Sequence, residues 1–370
     1  MHTHSERIHG LDTLRACAIV LVVLHHYVLF VSGAPTFGWV GEIGWVGVDL
    51  FFALSGYLIG NQIFAALRSA AGLSLPRFYA RRFLRTLPAY YVVLALYFLW
   101  PDFRAGATLP PLWKFLTFTQ NINLNPGTAF SHAWSLCIEE QFYVLLPACA
   151  LAIAALRRSL WWTWVGVGLA FGAGMAMRAW VWDEYVGGDL HGRTHYYQFI
   201  YYSSLCRFDE LMAGVALALL KNFHGRAWGR LTRRGNVMLG AGLLVCSLAF
   251  YLFLLDRLGF MLTVFGYPLL ALGFGLLMVA ALSEGSLLAA TAVPGAGRLA
   301  LYAYAIYLTH KQACILANAA LQARGVDPGQ GVAIAIMLAL SLVSGMALYH
   351  LVEQPFMALR ARWVPTLRRS

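Results

Sequence analysis

An acid, a guanidinium and an imidazole share one face of the first long apolar run, residues 11–30, LDTLRACAIVLVVLHHYVLF. On a helix turning about 100° per residue, Arg15 and His26 are three turns apart and differ by only about 20° in direction. Asp12 falls about 40° to the other side of His26, whereas His25 points off this stripe. Roughly 16 Å of helix separates Arg15 from His26. Ionisable groups in hydrocarbon cost about 3 kcal/mol or more each, so they face a bundle interior or a wet cavity and mark function. An imidazole there is suited to proton transfer near neutral pH. The bland alternative for this stripe is an arginine reaching lipid phosphates and a histidine bonded to a neighbouring helix.

Other polar groups interrupt later apolar runs. In GWVGVDLFFALSGYLIG, the carboxylate of Asp49 needs a cation or a proton. Ser55 and Asn61 suit polar contacts between helices, with Gly47 and Gly56 permitting close approach. RFYARRFLRTLPAYY puts Arg82 and Arg85 on one helical face, where two guanidiniums can grip a phosphate or pyrophosphate. Arg77 and Arg81 are explained by membrane anchoring alone. In SHAWSLCIEEQFYVLLP, His132 and Glu139 lie within about 20° on a helix, a pair that can tune a proton-transfer group. Glu140 faces away from both and suits equally the counter-ion of an arginine from another span. ALYAYAIYLTHKQ places Tyr304, Tyr307 and Lys311 on one stripe with His310 beside it. Arg207, Asp209 and Glu210 form a group able to pair internally, and Glu353 in HLVEQPF suits a salt bridge to nearby arginines. His191 and His195 are four apart, but Gly187, Gly188 and Gly192 argue against a helix presenting both to a metal, and solvated loop histidines are expected.

The elements that must position these groups follow from composition. Of 370 residues, 60% are hydrophobic and only 12% charged, with mean hydropathy +0.65. Soluble domains carry about 25% charged residues, so a polytopic membrane protein is indicated. The first run is too long for a cleavable signal, is interrupted by Arg15, and is followed by equivalent runs. Ten spans are long enough for a roughly 30 Å hydrocarbon core: 11–31, 43–66, 86–101, 133–156, 160–182, 203–220, 236–255, 260–282, 298–319 and 330–352. With a cytoplasmic N-terminus, the inner segments carry Arg7, Arg68, Arg77, Arg81, Arg82, Arg85, Arg157, Arg158, Lys221, Arg226, Arg230, Arg233, Arg234, Arg298, Arg360, Arg362, Arg368 and Arg369. With Arg15 these make nineteen of the 27 basic residues. By the positive-inside rule both termini are cytoplasmic, and most of the +11 net charge is a topology signal rather than a nucleic-acid footprint. The expected fold is all-α: one transmembrane domain over residues 1–370, a bundle of about ten helices. Loops 102–132 and 183–202 are long external connections of the kind that cover binding sites, and LPPLWKFLTF reads as a short interfacial helix. Cys17, Cys137, Cys149, Cys206, Cys246 and Cys314 show no metal-ligand or redox spacing and are expected as free thiols.

Seven segments in order, LDTLRACAIVLVVLHH, GWVGVDLFFALSGYLIG, RFYARRFLRTLPAYY, HAWSLCIEEQFYVLLP, RFDELMAGVALAL, AYAIYLTH and VEQPF, resemble the acyltransferase-3 family of integral-membrane acyltransferases over residues 7–357. The resemblance implies a bundle of about ten transmembrane helices in the bacterial cytoplasmic membrane. It implies transfer of an acyl group, usually acetyl, from cytoplasmic acyl-CoA to an acceptor at or beyond the outer face. Typical acceptors are sugar hydroxyls of lipopolysaccharide O-antigen, exopolysaccharide or other envelope glycans, free or lipid-linked, and in some members macrolide-type compounds. Acetyl-CoA is then a co-substrate, with no permanently bound cofactor and no metal. The family's basic residue, ten-residue spacer and histidine fall on Arg15 and His26, which makes His26 the implied catalytic histidine. Its paired arginines fall on Arg82 and Arg85, implied donor-binding or site-lining groups. Its WSL-x-x-EE-x-FY segment falls on Trp134, Ser135, Leu136, Glu139, Glu140, Phe142 and Tyr143. The expected site thus has His26, Glu139 and Glu140 as catalytic groups, with Arg15, Arg82, Arg85, Asp12, Asp49, Trp134, Ser135 and His310 toward substrate and donor. Many relatives carry an extra periplasmic esterase-like domain that relays the acyl group; with the sequence ending at Ser370, transfer is expected to finish within the membrane domain or to pass to a separate protein.

Acyl transfer from a thioester to a hydroxyl needs a base, and His26 suits that role or that of an acylated nucleophile. Glu139, Glu140 or Asp49 would orient its ring. A proton-coupled transporter or flippase of a glycan or small molecule is the alternative, but it predicts inverted repeats, and none is apparent. An inactive assembly partner would predict that His26→Ala has no phenotype.

Overall fold

Backbone groups in hydrocarbon must be satisfied within the chain, so a membrane-crossing segment is a helix or part of a closed barrel. This chain takes the helical solution. A computed structural model describes residues 8–156 and 159–364, and no strand occurs among them. The principal helices are α1 (His9–Tyr27), α2 (Val46–Arg68), α3 (Leu75–Leu99), α4 (Trp134–Ala155), α5 (Trp161–Tyr185), α6 (Asp209–Phe223), α7 (Gly235–Asp256), α8 (Tyr267–Ala281), α9 (Ala296–Gln322), α10 (Gly331–Leu348) and α11 (Gln354–Trp363). Each expected span falls on one of the first ten.

Among the described residues, seven helical segments are long and apolar enough to cross a membrane: His9–Ser32, Val46–Arg68, Ser131–Ala155, Trp161–Tyr185, Gly235–Asp256, Leu262–Ala281 and Gly331–Trp363. The helices outside this group have physical reasons for it. The 15 residues of α6 rise only about 22 Å. The first half of α3 carries Arg77, Arg81, Arg82 and Arg85, and α9 carries Arg298, His310 and Lys311. The expected third span, 86–101, falls mostly within the second half of a longer helix. The helix begins at Leu75 and continues through Pro88, so the arginine run lies inside its first turns. Of the basic residues assigned to the inner side, Arg7, Arg157, Arg158, Arg368 and Arg369 lie outside the described residues.

Several helix ends widen into π turns. Val28–Ser32 continues α1 and is closed by Gly33, whose φ of 62° is left-handed and whose N–H donates to the Val28 carbonyl at 3.0 Å. Leu262–Gly266 leads into α8, and Tyr349–Glu353 joins α10 to α11.

The chain divides into two compact units, with the boundary crossing α1 after Ala18. The first unit draws on the chain up to Ala18, on Val46–Ala71 and on Pro110–Gly297. Its tightest packing is between α2 and α6. A Cβ on Gly56 would run into the Leu211 carbonyl, and one on Gly214 into the Ala53 carbonyl. Small residues here let two backbones meet, the usual source of helix affinity in lipid. The expected interfacial helix is present as Leu112–Leu116, with Leu112, Trp113 and Leu116 exposed. In the 183–202 loop, Gly192–His195 forms one helical turn despite its glycine and runs into a π turn at Tyr196–Tyr201.

The second unit contains Ile19–Trp45, Gly72–Leu109 and the chain from Arg298 onward. Tyr27, Cys314, Ala317, Ala333 and Met337 form a buried cluster, and the Tyr27 hydroxyl donates to the Pro328 carbonyl at 2.7 Å. Arg81 donates to the Val364 carbonyl at 2.6 Å, fastening α3 to the end of α11. All six cysteines are free thiols.

Candidate functional site

His26 lies in the last turn of α1, half-buried, and the second unit supplies its neighbours. Its Nδ1 is 2.6 Å from Nε2 of His310 on α9. The two rings are within 4° of parallel, with centroids 4.9 Å apart. His310 is fully buried, and its own Nδ1 is 2.8 Å from the carbonyl of Ile306, one turn earlier in the same helix. Phe30 meets the His26 ring edge-on at 5.3 Å, and the Lys311 ammonium sits 4.1 Å from the centroid of Phe30. Tyr304, on the expected stripe, donates to the Thr86 carbonyl at 2.9 Å and so ties α9 to α3. His25 points elsewhere, as its phase predicts, with Nδ1 2.8 Å from the Gly41 carbonyl. The carboxylates of Asp49, Glu139 and Glu140 were the expected partners for the His26 ring; the contact on its Nδ1 is made by an imidazole.

Cations gather elsewhere in the same unit. Arg82 and Arg85 follow Arg81 on α3, and α11 brings Arg360 within electrostatic reach of Arg81 and Arg82. Glu353, only 4% exposed, lies within reach of Arg85 and Arg360. Guanidiniums gathered in this way suit a multiply charged anion. From sequence, Arg360 registers only as a topology charge, because nothing local reveals that α11 folds back along α3.

In the first unit several ionisable groups pair with one another. Asp12 and Arg15 form an ion pair at 3.0 Å one turn apart. Asp49 pairs with Arg207, both fully buried. The Arg207 guanidinium lies over the rings of Tyr267 (4.4 Å), Tyr201 (4.7 Å), Trp134 (5.3 Å) and Phe52 (5.9 Å). Asp209 is gripped by Arg178 through two bonds of 2.5 and 3.1 Å. The expected internal pairing of Arg207 with Asp209 is therefore corrected, since Arg207 bonds to Asp49 and Asp209 to Arg178, whereas Glu210 does lie within electrostatic reach of Arg207. Arg178 escaped notice in the sequence although an arginine inside span 160–182 meets the criterion that singled out Arg15. Trp134 packs into the aromatic shell around Arg207, and Ser135 is buried one residue further on. Glu139 accepts a bond from Ser55 at 2.6 Å. His132 sits in a 3-10 turn, Ser131–Ala133, before α4 begins, so its helical alignment with Glu139 does not hold. In the 183–202 loop, His195 lies 3.1 Å and His191 3.7 Å from the Asp189 carboxylate. That carboxyl is held below its usual range, first by the His191 backbone N–H and then by the two imidazoles.

Comparison with known proteins adds to this geometry. The family profile described as "Acyltransferase domain" matches residues 8–350. The peptidoglycan O-acetyltransferase OatA of Listeria monocytogenes is 29% identical over 264 residues, covering 66% of this chain and 39% of that protein. YrhL of Bacillus subtilis, provisionally named a peptidoglycan O-acetyltransferase, is 28% identical over 232 residues, covering 59% of this chain and 34% of that protein. An O-acetyltransferase of Staphylococcus aureus strain COL, also provisionally named, is 27% identical over 233 residues, 58% of this chain and 35% of its own. The chain thus spans 34–39% of the length of these relatives. No solved structure gives a significant match.

Proposed function

The chain belongs to the acyltransferase-3 family, and from that premise we propose that it is a multi-pass O-acyltransferase of the bacterial cytoplasmic membrane. It takes an acyl group, acetyl by preference, from cytoplasmic acyl-CoA and passes it to a hydroxyl of an envelope or extracellular glycan. Peptidoglycan is the first acceptor to test because the names of OatA and YrhL carry it. Exopolysaccharide and lipopolysaccharide O-antigen, free or lipid-linked, are the others.

The observation that carries this reading is the half-buried His26, held through one ring nitrogen by His310 at 2.6 Å. A neutral imidazole so held has a single basic nitrogen for chemistry. As base, His26 removes the proton from the acceptor hydroxyl while the oxygen forms a bond to the thioester carbonyl carbon. Collapse of the adduct breaks the C–S bond, and the proton passes from the imidazolium to the departing CoA thiolate. Arg82, Arg85 and Arg360 suit the phosphates of the donor. Arg15 lies three turns nearer the start of the helix that carries His26, with its charge paired to Asp12.

The test uses inverted membrane vesicles supplied with acetyl-labelled acetyl-CoA, following label into glycan for wild type, His26→Ala and Arg85→Ala. Label entering glycan with wild type alone supports the reading. Equal labelling by folded His26→Ala removes His26 from catalysis. Failure of wild type with acetyl-, propionyl- and succinyl-CoA refutes acyl-CoA as donor.

A further inference from the structure

His310 reads from sequence as a residue on the substrate side; its contacts give it a different task. The carbonyl of Ile306 can only accept, so the 2.8 Å contact places a proton on His310 Nδ1. His310 is 0% exposed, and enclosing a neutral ring costs far less than enclosing a charged one. A neutral ring carries one N–H, which makes Nε2 of His310 an acceptor. The 2.6 Å contact to His26 Nδ1 then requires the proton on the His26 side. The chain of bonds runs from His26 Nδ1–H to His310 Nε2, and from His310 Nδ1–H to the Ile306 carbonyl. Its far end is a backbone group fixed in α9, so the direction of every bond is set by the fold.

We propose that His310 is a positioning residue that holds His26 as the tautomer protonated on Nδ1, so that the basic lone pair of His26 stands on Nε2. The proposal rests on His26 being the base in the reading above. When Nε2 takes the hydroxyl proton, the imidazolium keeps its Nδ1–H bond to His310. When that proton leaves with the thiolate, the same tautomer is restored, so one turnover ends with the protons of the pair where they began. An imidazole in this place orients the ring without putting a second negative charge beside an attacking alkoxide.

Three variants and one spectrum test it. His310→Phe keeps a ring but removes the acceptor, and kcat is expected to fall by about 100-fold or more, the usual contribution of a positioned base. The KM for acetyl-CoA should stay within about twofold, because no donor contact is lost. His310→Gln restores an acceptor and should recover at least about tenfold of that loss. His26→Ala sets the floor. Equilibrium binding of CoA to each purified variant reports folding separately. Solid-state nitrogen-15 spectra of histidine-labelled wild type, assigned by difference against His26→Gln, should show His26 protonated on Nδ1 at neutral pH. A His26 proton found on Nε2 overturns the proposal whatever the kinetics. So does full activity of His310→Phe when His26→Ala is inactive. If His310→Phe fails to bind CoA, His310→Gln and the spectrum decide. A wild-type protein that transfers no acyl group refutes the functional reading, while the spectrum still reports the tautomer.

Discussion

Replacing Asp49 by Asn is a sensitive probe of the buried charge network, because the structure holds a second carboxylate in reserve. Asp49 and Arg207 are both 0% exposed. Removing one member of such a pair costs about 3–5 kcal/mol when it strands the other charge. Arginine has no neutral form to retreat to, so a stranded guanidinium keeps the full penalty. Glu210, also 0% exposed, lies within electrostatic reach of Arg207, and its carboxyl group is close to that of Asp49. In Asp49→Asn the guanidinium can turn to Glu210, so the expected loss is about 1–2 kcal/mol, well below that of a stranded charge. Glu210→Gln alone should cost under about 1 kcal/mol, since Arg207 keeps its bond to Asp49. The double variant strands Arg207 and should lose the full ~3–5 kcal/mol, a coupling of at least about 1 kcal/mol. The assay is reversible SDS unfolding in bicelles, followed by tryptophan fluorescence on all four proteins. Additivity within about 0.5 kcal/mol would show that Glu210 is no reserve for Asp49 and would refute the reasoning.

Further outcomes follow from other contacts. Arg360→Ala should raise the KM for acyl-CoA by about tenfold or more, the worth of one charge-assisted bond, with kcat nearly unchanged; an unaltered KM removes Arg360 from the donor site. Gly56→Ala should destabilise by about 1–3 kcal/mol, because the new methyl meets the Leu211 backbone rather than a side chain that can move; an unchanged unfolding midpoint counts against the α2–α6 packing. Ser55→Ala removes the donor to Glu139 and should cost about 1–3 kcal/mol, with Ser55→Thr recovering most of it in the same assay.

How much was legible in the sequence depended on distance along the chain. Apolar length and helical phase located the principal helices and placed His25 off the stripe of His26, because both are local properties. Arginines lower hydropathy without breaking a helix, so the apolar span at 86–101 reads as starting eleven residues after α3 does. His132 and Glu139 were aligned by assuming one helix through a segment whose first three residues form a tighter turn. Partner choice was the least legible. Asp49 is 158 residues from Arg207, and His26 is 284 from His310. No periodicity selects among several buried cations or imidazoles at such separations. The resemblance to a family named the chemistry but not the group that holds the histidine ring.

The π turn at Val28–Ser32 has a consequence for how the chain tolerates insertion and deletion. A π turn is an α-helix that has taken in one surplus residue. Deleting one residue within it should let α1 close as a regular helix, leaving His26 and everything before it in phase. The same deletion between Cys17 and His25 would swing His26 by about 100° relative to the start of the helix, away from His310. Length variation in this part of the chain should therefore accumulate just after His26 and be purged just before it, so that a single widened turn acts as an expansion joint beside a residue whose phase is fixed.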